Sequence, residues 1–89
     1  MADFIQDLAD KLARDALQAS QDLDDPFFYE QVSKIVGASS TTLQEAFLTS
    51  IRIRQAEARG RRFMEQALAA RKTGAAMPAP PPDPDAGGH

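Results

Sequence analysis

The chain of 89 residues has no cysteine, and its single histidine, His89, is the last residue. Without cysteine there is neither a disulfide framework nor a thiolate metal site, and a reducing compartment fits. A histidine in a proline- and glycine-rich stretch is not held within hydrogen-bond reach of a nucleophile, so general-base chemistry lacks its usual agent. No apolar run approaches the roughly 18 residues of a membrane span. The first ten residues carry Asp3, Asp7 and Asp10 where a signal peptide carries bases. Strand-like alternation is missing too, and with it the strand–loop–helix setting that a phosphate-binding loop needs. The expectation is a soluble, cytoplasmic protein with no membrane segment, no cofactor and no enzymatic activity.

What the chain does have is charge in two blocks. Residues 1–30 hold eight acids against Lys11 and Arg14, a net of −6. Residues 51–72 hold seven bases (Arg52, Arg54, Arg59, Arg61, Arg62, Arg71 and Lys72) against Glu57 and Glu65, a net of +5. The basic block can attract an anion such as phosphate. Equally, the two blocks can attract each other, within one chain or between chains. The acids do not form a metal site by pattern. Asp7 with Asp10, or Asp22 with Asp24 and Asp25, lack a partnering Glu-x-x-His helix, and capping or a solvated face accounts for them.

Spacing predicts an all-α fold of three helices and a tail. The first helix is expected over residues 3–22, with Asp3 as N-cap, Gln6 as capping-box partner, and an apolar stripe of Ile5, Leu8, Leu12, Ala16, Ala19 and Leu23. Asp24-Asp25-Pro26 stops it. A second helix is expected over residues 26–36, with proline at its first position, Phe28, Val32, Ile35 and Val36 on its apolar face, and Gly37 as a left-handed terminator. The third helix starts at Ser39 or Ser40 and runs to about residue 72, with Gly60 as a point for a kink or break. Residues 1–72 then make a helical oligomerisation or binding domain. Residues 73–89, with Pro78, Pro80, Pro81, Pro82, Pro84, Gly87 and Gly88, make a disordered or polyproline-like tail. Pro78 and Pro81 have the P-x-x-P spacing, which is common by chance.

The long helix carries two apolar faces. At about 100° per residue, Leu43, Ala46, Phe47, Ile51 and Ala58 fall in one sector, whereas Ile53, Ala56, Gly60, Phe63, Met64 and Ala67 fall in another, rotated by about 150°. The first sector can pack on the two shorter helices. The second needs another surface, and a second copy of the chain is the simplest supplier, so a homo-oligomer is expected with these six residues as its interface. Ala56 and Gly60 permit close approach of a neighbouring helix. Arg52, Arg59 and Arg62 border the sector on one side, and Arg54, Arg61 and Lys72 on the other. An apolar seam with charged borders sets partner and register in helix pairs, and a neighbour's acidic first helix has the matching sign.

Residues 32–46 contain a local motif. A helix ends at Gly37, Ala38 follows, Ser39 caps, and Leu43 opens the next buried face. This resembles the turn of a helix-turn-helix element, with Ser33 standing where alanine is usual. On that reading the third helix would offer Ser40, Thr41, Gln44 and Glu45 to bases, with phosphate anchored by Lys34 or the distant arginines. The bland reading is a tight helix–helix corner.

A helix-turn-helix-like front (Gly37 to Leu43), a long oligomerising helix (Leu43 to Lys72) and a proline tail together resemble the small terminase subunits of tailed phages and gene-transfer particles. The resemblance implies a ring built from the long helices, a front end touching DNA, and a tail that engages a larger motor subunit. The contacts it implies, to weakly and non-specifically bound double-stranded DNA or to a partner, are Arg52, Arg54, Arg59, Arg61, Arg62, Lys34 and Gln44. The competing class is a helical adaptor or regulator, such as an anti-activator or scaffold, that uses the second sector to bind a partner protein's helix without nucleic acid.

Overall fold

A computed structural model describes residues 3–74. The predicted proline-rich tail lies outside them apart from Thr73, which is helical, and Gly74. The described chain is all-α: α1 (Phe4–Asp22), α2 (Phe28–Gly37) and α3 (Thr41–Thr73). No helix among the described residues is long and apolar enough to cross a membrane. The chain divides into two compact units, Met1–Gln55 and Ala56–His89, with the division falling inside α3.

The helix starts follow from short polar side chains. Asp3 caps α1, its Oδ1 accepting from the Ile5 amide at 3.0 Å. Gln6 does not close a capping box; its amide donates to Asp10 one turn on, at 2.8 Å. Ser40, not Ser39, caps α3 by accepting from the Leu43 amide at 3.0 Å. Asp25 accepts from the Phe27 amide at 3.0 Å, so Asp25-Pro26 builds a turn and α2 opens two residues later than the proline suggests.

The helix ends reverse one expectation. Gly37 is the last residue of α2 and is not left-handed. Among the described residues the left-handed positions are Asp24 (φ 54°) and Gly74 (φ 74°). At the end of α1 the Asp25 amide donates to the Ser20 carbonyl (2.9 Å) and the Asp24 amide to that of Gln21 (3.1 Å). That pair of bonds is a Schellman motif with aspartate in the residue position glycine usually takes. Gly37 serves close approach instead. A Cβ there would collide with the side-chain amide of Gln44.

In the first unit the core is small and has a definite shape. Ala9, Ala13 and Ala16 on α1 form a flat stripe on which Phe47 and Ile51 of α3 are fully buried. Leu12, Leu17, Tyr29, Val32, Leu43, Ala46 and Leu48 close around it. The buried face of α1 is therefore turned by about 70° from the expected stripe, at 100° per residue. Ile5, Leu8 and Leu23 are exposed, and Ser20 is buried with its hydroxyl donating to the Ala16 carbonyl at 2.9 Å. The cause is size. Two bulky residues from one helix need small ones opposite if the backbones are to close at interior density. On α2, Ile35 is exposed and Ser33 is buried, again against hydrophobicity alone. In the second unit α3 is helical through Gly60, so the break considered from sequence does not occur.

Three outcomes follow. Phe47→Ala should cost about 3–5 kcal/mol and abolish a cooperative thermal transition in a unit this small. Asp24→Val should lower stability by about 1–2 kcal/mol, whereas Asp24→Gly should not, because the left-handed backbone penalises a β-branched side chain and not glycine. Gly37→Ala should be stabilising in a Gln44→Ala background and neutral or destabilising in the parent. Denaturant titration of the four-member cycle should give a coupling of about 1 kcal/mol.

Candidate functional site

The first unit carries a groove of about 470 Å³ between α2 and the start of α3. Tyr29, Glu30, Ser33 and Lys34 line it from α2, and Gln44, Leu48, Ile51 and Arg52 from α3. The spacing is helical on both walls: 29/33 and 30/34 on one, 44/48/52 on the other. Ile51 links the groove to the core, since it belongs to both. The floor is locked by Gln44, whose Nε2 donates to the Ser33 carbonyl (3.1 Å) and lies 3.3 Å from the Ser33 hydroxyl. The departure from alanine at position 33 thus has a physical role, because the hydroxyl gives the Gln44 amide a second polar neighbour in a buried corner. Lys34 and Arg52 are exposed, and Glu30 offsets one of their charges. Neither cation is ion-paired among the described residues.

Three of the seven predicted contact residues therefore share one groove: Lys34, Gln44 and Arg52. Gln44 is committed inward to Ser33, and the Ser40 hydroxyl is committed to capping, so of the four residues that helix-turn-helix geometry offers, Thr41 and Glu45 remain exposed. Arg54 lies elsewhere in the first unit. Its Nε reaches Ser50 Oγ at 3.4 Å and its second guanidinium nitrogen donates to the Asp10 carbonyl at 3.2 Å, pinning α3 to α1. Tyr29, Glu30 and Leu48 line the groove without carrying any motif. Their i, i+4 spacing is a signal only once the α2–α3 corner is closed.

In the second unit the other three arginines differ from one another. Arg61 donates to Glu57 Oε1 at 2.9 Å, one turn back, and that hydrogen bond and charge raise its pKa above the ordinary guanidinium value. Arg59 and Arg62 are exposed and form no ion pair among the described residues. Of the predicted interface residues, Ile53 in the first unit is 63% exposed. In the second unit Ala56, Gly60 and Met64 are exposed, while Phe63 and Ala67 are half-buried. Leu68, not singled out from sequence, is exposed beside them, as its i, i+4 relation to Met64 allows. Space around Gly60 is open: beyond its chain neighbours and its own helical backbone, nothing lies within 4 Å of an added Cβ.

Among the described residues no three acids or histidines are grouped so as to hold a metal ion. No protein-family model, curated protein or solved structure matches the chain.

Proposed function

We propose that the chain is a non-enzymatic helical assembly protein with a role like that of the small terminase subunits it resembles. It self-associates through the second half of α3, contacts double-stranded DNA weakly and without sequence preference, and recruits a larger protein partner. One observation carries this reading. Met64 and Leu68 are 55% and 64% exposed one turn apart on α3, and the exposed cations Arg61, Arg71 and Lys72 lie on the same side of the helix at about 100° per residue. An exposed apolar strip with a charged rim is the physical mark of an interaction surface.

Support for the DNA contact is narrower. Lys34 and Arg52 line the same groove, so two cations are available to phosphate from one face of the first unit. Glu30 and Glu45 stand on the same two helices and keep that contact weak. With Gln44 turned inward, the contact reads backbone charge and not base edges.

The parent protein should scatter light as an assembly well above the 9.7 kDa of one chain, and Met64→Asp with Leu68→Asp should return it to that mass. A parent that stays monomeric at high concentration overturns the assembly reading; if it also binds no DNA, the adaptor class stands in its place. In gel shifts across a salt series, Lys34→Ala with Arg52→Ala should flatten the log–log salt slope by about 2 per protomer. An unchanged slope removes the groove from DNA contact.

A further inference from the structure

Two cations on the rim account for a phosphate contact, but they leave the interior of the α2–α3 groove without an occupant. The groove is concave and holds about 470 Å³, inside the range of about 300–1,000 Å³ for sites that enclose a small organic group. A duplex is convex and far wider than such a group, so it meets only the rim. The interior is apolar and aromatic. Tyr29 and Leu48 are half-buried and line it, and Ile51, 1% exposed, joins it to the core. Phosphate gains nothing from such a floor. Glu30 stands beside Tyr29 on the α2 wall, and its carboxylate repels phosphate, which is thereby directed to Lys34 and Arg52. Both of these cations are exposed and lack a carboxylate partner among the described residues. The groove thus offers an aromatic surface to a flat, uncharged group and two cations to an anion attached to it. Those are the two parts of a nucleotide whose base is unpaired.

We infer that the groove binds an unpaired nucleotide, at a duplex end or in a single-stranded stretch, with the base against Tyr29 and Leu48 and its flanking phosphates at Lys34 and Arg52. The inference rests on the DNA contact proposed above and names the form of DNA that the same site takes. Stacking tolerates any base, because every base has a π face, so the contact stays without sequence preference. Gln44, held by Ser33, has no part in it. The direction of the preference separates this arrangement from charge alone. Two cations facing phosphate favour the duplex, whose charge density is greater, whereas an aromatic floor favours the strand whose bases are free.

Tyr29 is the single tyrosine and the chain has no tryptophan, so the intrinsic emission of the full-length protein reports on the groove. At low ionic strength a short single-stranded oligothymidylate should quench that emission saturably. By anisotropy of labelled oligonucleotides, it should bind about 5- to 150-fold more tightly than a blunt duplex containing the same strand. Tyr29→Phe should keep that ratio. Tyr29→Leu, which leaves an apolar group against the core but no ring, should bring the ratio close to unity with helix content unchanged by circular dichroism. Should the leucine variant lose helix, quenching and the ratio in the parent still decide. Four results overturn the inference. Equal or tighter binding of the duplex by the parent takes the nucleotide out of the groove and leaves the weak duplex contact standing. A folded Tyr29→Leu variant that keeps the ratio shows that the ring is not the platform. Polyglutamate that quenches Tyr29 as well as the oligonucleotide does at equal charge makes the occupant an acidic peptide. No binding of either DNA form at low salt overturns the DNA contact and this inference together.

Discussion

The seating of Phe47 and Ile51 on the alanine stripe of α1 is the contact on which the rest of the first unit depends. These are the two largest side chains withdrawn fully from solvent, and three alanines make the flat surface that admits them. The same contact fixes the rotation of α3 about its own axis. Leu48 and Arg52 follow Phe47 and Ile51 by one residue each, so burying the second pair turns the first toward α2 and places Arg52 on the groove. Arg54, one turn past Ser50, is brought to the Asp10 carbonyl. The positions of Arg52 and Arg54 are thus a consequence of core register and not of local electrostatics.

Past Gln55 the physics of α3 changes. Most helical stability in proteins comes from packing of an amphipathic face, and propensity supplies only part of what a helix needs. Residues 56–74 are well provided with local support. They are rich in alanine and arginine, Glu57 precedes Arg61 in the favourable i, i+4 order, and Gly74 closes the end in the left-handed conformation. Such terms amount to tenths of a kcal/mol each for the exposed pair and about 1 kcal/mol for a cap. They explain why the segment is helical without explaining why it carries phenylalanine, methionine and leucine along one side. Local stability is indifferent to those residues, which is why a covering surface is the economical account of them.

The elements were legible from periodicity and caps because both are local. Asp3, Ser40 and the Asp24-Asp25-Pro26 break mark helix boundaries through bonds spanning two to five residues. The buried face of α1 was not legible. Ranking residues by hydrophobicity selects Ile5, Leu8 and Leu12, whereas the packed face is chosen by size against Phe47 and Ile51, a property of the pair of helices. Gly37 and Gly74 show the same divide. Both end helices, but only Gly74 uses the left-handed freedom of glycine, while Gly37 is set by a side chain seven residues later. Of the candidate site, the grouping of Lys34 with Arg52 required the corner to be closed first, whereas the apolar sector of the second half of α3 was visible at once, since it lies on a single helix.

The corner between α2 and α3 joins these strands of reasoning. A helix-turn-helix places a small residue four before its glycine so that two helices can meet, and leaves the second helix free to present polar side chains outward. Here the small residue is a serine that draws the Gln44 amide inward over Gly37. The polar group best suited to reading a base is used to hold the helices together. The corner thus holds two helices together without offering the Gln44 amide outward. On the proposed reading, what nucleic acid meets here is charge, which is screened by salt, shared with Glu30, and confined to the first unit for Lys34 and Arg52. Arg61, Arg71 and Lys72 lie in a different unit, on the side of α3 that carries exposed Met64 and Leu68. On the proposed reading the two sets of cations have separate tasks, and the second set, flanking apolar side chains, is suited to protein because phosphate gains nothing from the methionine and leucine next to it.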